Sequence, residues 1–85
     1  MHPYIEEKKE GIRIRTFSSE TPEEELKWHW DEENRIVKPL AENDWLFQFD
    51  NELPFKIDRP ISIEAGMIHR VIRGTTDLKV SIEIF

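Results

Sequence analysis

The chain has 85 residues, no cysteine and a net charge of -6, with 18 acidic against 12 basic side chains. The acidic balance argues against nucleic acid and anionic membranes as partners, and no apolar run approaches the roughly 20 residues of a membrane span. The absence of cysteine excludes disulfides and thiolate metal sites, makes the reducing cytoplasm the expected compartment, and leaves His, Asp and Glu as candidate metal ligands. A chain this short builds a modest core, so a single domain assembled as a homodimer is predicted.

The first half of the chain begins with a polar, charged N-terminal segment, residues 1–10, which we expect to fray before the domain of residues 11–85. Apolar and polar residues alternate from Gly11 to Phe17, and this period of two predicts a strand. The polar connection that follows contains Thr21-Pro22-Glu23-Glu24, which predicts at most one helical turn. Alternation resumes at Leu26, so a second strand is predicted from there to Asp31.

The second half of the chain consists of short runs rich in β-branched and aromatic residues, separated by turn residues such as Asn, Asp, Gly and Pro. Many short strands with almost no helix predict an all-β sandwich or barrel. The predicted strands are Arg35–Leu40, Trp45–Asp50, Phe55–Ile57, Ile61–Glu64, His69–Ile72 and Leu78–Phe85.

Side chains alternate sides along the predicted strand at residues 26–31. His29 and Asp31 therefore share one face, and Trp28 and Trp30 share the other. If His29 and Asp31 point inward, the two indoles point outward, where a second subunit or the N-terminal strand would cover them. In the opposite arrangement the tryptophans fill the core and the histidine lies in solvent, which removes the site.

Arg35 stands at even spacing from His29 and Asp31, which directs its side chain into the same space. Its guanidinium could there bind a carboxylate or phosphate of a small ligand. The alternative is an internal salt bridge from Arg35 to Asp31 or Glu33, with neither metal nor ligand.

Gln48 and Asp50 alternate with Phe47 and Phe49. Polar side chains on an inward face are costly unless they meet a ligand, water or one another, so Gln48 is a candidate ligand contact if its face lines the barrel. In the alternative, the two phenylalanines fill the core and Gln48 and Asp50 face solvent.

Over roughly residues 26–84 the sequence resembles the cupin superfamily of small β-barrels. The first cupin motif runs His-x-His, three or four residues, Glu, six residues, Gly. The same spacing here gives His29, Asp31, Arg35 and Glu42. Only His29 has the residue type of the motif. Asp31 occupies the position of the second histidine, and Arg35 occupies the position of the glutamate.

The second cupin motif runs Gly, five residues, Pro-x-Gly, two residues, His, three residues, Asn. The corresponding positions here are Asp58, Glu64-Ala65-Gly66, His69 and Arg73, and of these only Gly66 and His69 match. The spacing of both motifs is kept, although most of their residues differ.

The resemblance implies an all-β, small single-domain cupin-like barrel of the jelly-roll or double-stranded β-helix type. Because His29 and His69 occupy the positions of metal-binding histidines in the cupin motifs, the resemblance implies that both are metal ligands. A carboxylate also binds divalent ions, so His29, Asp31 and His69 would form a two-histidine, one-carboxylate set for a transition metal such as Fe, Mn, Ni or Zn. Glu33, on the same strand face, is the alternative carboxylate.

The resemblance also suggests two kinds of function. A small anionic molecule bound beside the metal by Arg35 and Gln48 would fit an oxygenase, isomerase or lyase, activities that all occur in the superfamily. The alternative is a non-catalytic barrel without metal that binds a small ligand or a protein partner.

Overall fold

The computed structural model of the protein describes residues 3–85, which form two antiparallel sheets. The first sheet has the strand order β1-β2-β8-β3-β6 and the second the order β5-β4-β7. The strands are β1 (Tyr4–Lys9), β2 (Ile12–Phe17), β3 (Arg35–Pro39), β4 (Leu46–Phe49), β5 (Phe55–Lys56), β6 (Ile61–Ile63), β7 (His69–Ile72) and β8 (Leu78–Ile84). No helix within residues 3–85 is long and apolar enough to cross a membrane.

The N-terminal segment forms a strand where fraying was predicted. β1 pairs antiparallel with β2 along its whole length, from Tyr4 opposite Phe17 to Lys9 opposite Ile12. The two residues that connect these strands, Glu10 and Gly11, have φ angles of 48° and 82°. Two left-handed residues give a two-residue hairpin turn the twist that antiparallel strands need. Met1 and His2, the first residues of the predicted polar segment, lie outside the described residues.

The prediction of a strand at residues 26–31 is wrong. The segment forms a single bridge, between His29 and His69, and Leu26 is buried whereas Trp28 and Trp30 are 42% and 56% exposed. A turn of 3-10 helix at residues 23–25 precedes it, and the backbone of Leu26 leaves that turn in a conformation outside the strand region. The apolar residues therefore do not share one face, and the expected alternation is absent: both tryptophans are exposed, but so is His29, whereas Asp31 is half-buried.

The core lies between the two sheets and is built from alternate residues of their strands. Trp45 is completely buried just before β4, and its indole N–H donates a hydrogen bond to the carbonyl of Thr76. The other buried apolar side chains are Leu26, Phe47, Phe49, Ile57, Ile61, Ile63, Leu78, Val80 and Ile82. This pattern fixes the even-numbered residues of β8 as its inner face.

A polar turn fastens the start of β4 to the connection between β7 and β8. The Asp44 carboxylate accepts hydrogen bonds from the hydroxyl and amide of Thr75 and from the amide of Thr76. These bonds, led by the Thr75 hydroxyl, lower the pKa of Asp44 to about 2. Gly74 packs so closely on Asp44 that a Cβ there would lie 2.7 Å from its backbone carbon.

Candidate metal and ligand site

The two histidines are brought together by backbone pairing. The amide of His29 donates to the carbonyl of His69 at 3.0 Å, and the amide of His69 donates to the carbonyl of His29 at 2.9 Å. Gly66, in the turn before β7, donates its amide to the carbonyl of Asp31 at 2.8 Å and has a φ of 82°. This left-handed conformation suits a residue without a Cβ. The imidazole centroids consequently lie 4.2 Å apart.

Both imidazoles are fixed by the same kind of hydrogen bond. The Nδ1 atom of His29 lies 3.1 Å from the carbonyl oxygen of Lys27, and that of His69 lies 2.8 Å from the carbonyl oxygen of Met67. A carbonyl only accepts, so an Nδ1 that bonds to one carries the hydrogen, and Nε2 of such a ring offers a lone pair when the ring is neutral. Histidines that bind metals commonly have this arrangement.

Burial keeps the His69 ring uncharged at neutral pH. Desolvation is the largest effect on the pKa of His69 and lowers it, and electrostatic interactions with His29 and Arg35 lower it further. The Met67 carbonyl and the Asp31 carboxylate raise this pKa, but burial outweighs them. His69 therefore offers its lone pair without having to lose a proton first.

Asp31 completes a group that could hold a metal ion. Its Oδ2 lies 3.5 Å from Nε2 of His69, and one ligand atom from each of His29, Asp31 and His69 lies within 4.8 Å of the others. Glu33, the alternative carboxylate, lies outside this group and pairs instead with Arg35 at 2.8 Å. The structure thus favours Asp31 over Glu33 as the carboxylate of the set.

Arg35 forms the predicted internal ion pairs and retains an unpaired donor. One terminal nitrogen lies 3.5 Å from Asp31 Oδ1 and the other 2.8 Å from Glu33 Oε1. The side chain is only 11% exposed, and its Nε is buried without a hydrogen-bond partner among residues 3–85. A buried, charged donor without an acceptor is costly, so this atom marks a place where a ligand oxygen would be stabilising.

These side chains line a cavity of about 400 Å³ that both sheets enclose. Its polar lining includes the three candidate ligands, Arg35, and a second cluster that the sequence reasoning missed, Arg15 with Tyr4. Arg15 donates to Glu6 at 2.7 Å and lies 4.2 Å from the centre of the Tyr4 ring. Arg15 lies two residues before Phe17 on β2, and residues at this spacing share one face of a strand. This spacing was the sequence signal that could have identified Arg15 as a residue of the cavity.

Gln48 is absent from the lining of this cavity. Its amide nitrogen donates to the carbonyl of Glu52 at 3.0 Å, and its carbonyl oxygen accepts from Arg70 at 3.0 Å. Phe47 and Phe49 are the buried residues of β4. The structure therefore favours the alternative in which the phenylalanines fill the core, and gives Gln48 no ligand contact in this cavity.

No family model matches the sequence, and no curated protein matches it. Solved structures do match: a cupin domain from Bordetella pertussis Tohama I has a TM-score of 0.58 and 19% identity, covering 96% of this chain and 93% of that one. The chain has a cupin-like fold. Protein NMB1881 from Neisseria meningitidis is also similar, with a TM-score of 0.61 and 15% identity over 96% of this chain and 82% of that one.

The cupin-like fold confirms the fold class that the motif spacing implied. At these identities the similarity concerns the fold, and the same fold carries many functions. The function must therefore be argued from the side chains of this chain.

Proposed function

We propose that this protein binds one divalent transition metal ion through His29, Asp31 and His69, and a small anionic ligand through Arg35. The observation that carries the proposal is the convergence of three ligand atoms within 4.8 Å in the lining of one cavity. Two imidazoles and one carboxylate are a donor set suited to Fe, Mn, Ni or Zn.

The donor set fits a metal ion because the ligands are already oriented for one. Each histidine Nδ1 is committed to a backbone carbonyl, which leaves Nε2 of His29 and His69 for coordination. When bound, such an ion supplies a Lewis acid that polarises an oxygen atom of the ligand. Around it, the histidines and Asp31 hold their rings and carboxylate in place, while Arg35 binds and orients the anion.

Charge balance supports an anionic ligand. Arg35 pairs with Asp31 and Glu33, so this group carries one net negative charge. A divalent cation bound to Asp31 would reverse it to one net positive charge, and a monoanionic ligand would neutralise the site. In a cavity lined mainly by apolar residues, a neutral site is more stable than a charged one.

Metal binding is tested with tag-free protein that has been stripped by a chelator and then titrated with zinc, nickel, manganese or iron(II) under calorimetry. We expect one equivalent of at least one of these ions to bind. The Asp31→Asn and His69→Ala variants should lose at least tenfold in affinity, whereas Glu33→Gln, the matched control, should retain it. Absence of stoichiometric binding, or equal losses in Glu33→Gln and Asp31→Asn, would contradict the proposed ligand set.

A metal-free, non-catalytic barrel is the second candidate. The ion pair between Arg35 and Asp31 favours it, because a guanidinium 3.5 Å from the carboxylate opposes a cation there. Ligand affinity that is the same with and without chelator would support this function. Turnover assays of the metal-loaded protein then test oxygenase, isomerase and lyase activity separately from binding.

We propose further that the protein is a homodimer assembled through an outer aromatic surface of Trp28, Trp30 and Ile68. All three side chains are more than a third exposed, and Arg70 covers one side of the Trp28 ring at 4.5 Å. Exposed indoles gain most from burial in an interface. Light scattering after gel filtration should give a dimer for the native protein and for a Leu53→Ser control, and a monomer for Trp30→Ser.

A further inference from the structure

The cavity runs along β8 with different chemistry at its two ends. Leu78, Val80 and Ile82 line it from the inner face of that strand, over a length of about 13 Å at the rise of an extended chain. Pairing with β3 places Arg35 opposite Ile84, whereas pairing with β2 places Phe17 opposite Leu78. The buried guanidinium therefore stands at one end of β8, and an aromatic side chain stands at the other.

The charged end has a donor that no residue of the described chain satisfies. Both terminal nitrogens of Arg35 face carboxylates, at 3.5 and 2.8 Å, while Nε is buried without an acceptor. A ligand carboxylate oxygen would remove this cost and form a charge-assisted hydrogen bond.

Beyond the three candidate metal ligands and Tyr4, the lining offers a ligand few polar partners. The charge of Arg15 is already balanced by Glu6 at 2.7 Å, and Glu25 and Lys27 are exposed. The cavity is otherwise lined mainly by apolar side chains from both sheets: Phe17, Leu26, Val37, Phe47, Ile57, Ile63, Val71, Leu78, Val80 and Ile82. A sugar or a polyphosphate would lose its hydrogen bonds to water along this wall, whereas an alkyl or aryl chain would gain from burial.

We infer that the ligand of this cavity is an amphipathic monocarboxylate: a carboxylate at Arg35 with an unbranched alkyl or arylalkyl body of about seven carbon atoms along β8. The inference deepens the proposed function and rests on its anion-binding part, in the metal-loaded site that carries one net positive charge. Arg35 is the specificity-determining residue for the head group, and the inner face of β8 sets the chain length.

The test is a calorimetric titration of the zinc-loaded native protein with straight-chain carboxylates of increasing length, from butanoate to decanoate, repeated in the presence of a chelator. Each added methylene should tighten binding about fourfold, the equivalent of burying one CH₂, until the apolar end is filled near octanoate. Octanoate should bind at least tenfold more tightly than octanamide or octylamine. Affinity that does not change with chain length, equal binding of octylamine, or no saturable binding with or without zinc would overturn the inference.

Two variants locate the ends of the ligand. Arg35→Gln should abolish the preference for octanoate over octanamide, and Arg59→Gln, which removes an exposed arginine outside this cavity, should leave it intact. Val80→Phe should move the optimum to a shorter chain. If a variant does not fold, the chain-length series of the native protein still tests whether the cavity binds an amphipathic monocarboxylate.

Metal titration separates this inference from the proposed metal site. Octanoate binding in chelator together with absent metal binding would refute the metal site and support the carboxylate assignment. Octanoate binding that requires zinc and is unchanged in Arg35→Gln would assign the carboxylate to the metal and overturn the inference.

Discussion

Replacing Arg35 by glutamine should strengthen divalent metal binding while weakening anion binding. The guanidinium lies 3.5 Å from Asp31 Oδ1 and competes with a cation for that carboxylate. It is also a buried cation in the lining of the cavity, and its Nε has no hydrogen-bond acceptor among residues 3–85. One substitution therefore acts in opposite directions on two ligands of the same site.

The magnitude follows from Coulomb's law. At 3.5 Å, two unit charges attract by about 5 kcal/mol at an effective dielectric of about 20, and by about 1 kcal/mol in bulk water. The Arg35 and Asp31 side chains are 11% and 13% exposed, which places the pair between these limits. We expect a gain in metal affinity of about tenfold to a hundredfold, or about 1.4 to 2.7 kcal/mol. The same change should lower the free energy of unfolding by about 1 to 3 kcal/mol, because two carboxylates lose their cation.

The assay is a zinc titration of stripped protein by calorimetry, beside a urea titration that confirms folding. Arg59→Gln is the control, because it removes the same charge at an exposed position, where Arg59 pairs with Asp58. It should leave zinc affinity within about twofold, as expected for a screened surface charge. A loss of zinc affinity in folded Arg35→Gln would refute the predicted competition for Asp31, because it would mean that the guanidinium helps the site to bind metal.

Three further predictions concern the turns around the core and the site. Gly74→Ala should lower the free energy of unfolding by about 1 to 3 kcal/mol in a urea titration, because its Cβ would meet the backbone of Asp44 at 2.7 Å; unchanged stability would contradict this packing. The pKa of Asp44, lowered from 3.8 to about 2 by the hydroxyl and amides of the facing turn, predicts a stabilisation present above pH 4 and lost as the pH falls towards 2. Acid titrations of the native protein and Asp44→Asn should therefore converge at low pH, and parallel curves would refute this. Gly66→Ala and Gly11→Ala should each lower the free energy of unfolding by about 1 to 2 kcal/mol, because both glycines have a φ of 82°. Only Gly66→Ala should also weaken zinc binding, because the amide of Gly66 donates a hydrogen bond to the carbonyl of Asp31. Equal zinc affinity in the two variants would mean that this hydrogen bond does not position the ligand.

Local patterns in the sequence sufficed for most strands and failed at two places. Alternation from Arg35 onward predicted β3 to β8 to within a residue or two, because a side-chain period of two reports directly on half-buried strands. The strand β1 was missed because its residues Ile5 to Lys9 are exposed at the edge of a sheet, where burial leaves no alternation to detect. The segment at residues 26–31 was mistaken for a strand because Leu26, Trp28 and Trp30 alternate in the sequence while the backbone turns between them.

The sequence by itself determined the all-β class and which residues could serve as metal ligands. The resemblance to the cupin motifs paired His29 with His69 and, by position, preferred Asp31 to Glu33, a choice that strand parity alone left open. Only the tertiary structure decided that these three side chains converge, that Gln48 lies outside the cavity, and that Nε of Arg35 has no acceptor within the described part of the chain. The physical reason is that convergence depends on the backbone pairing of residues 29 and 69 and on the packing of two sheets, both long-range contacts. A local pattern carries no record of which strands become neighbours.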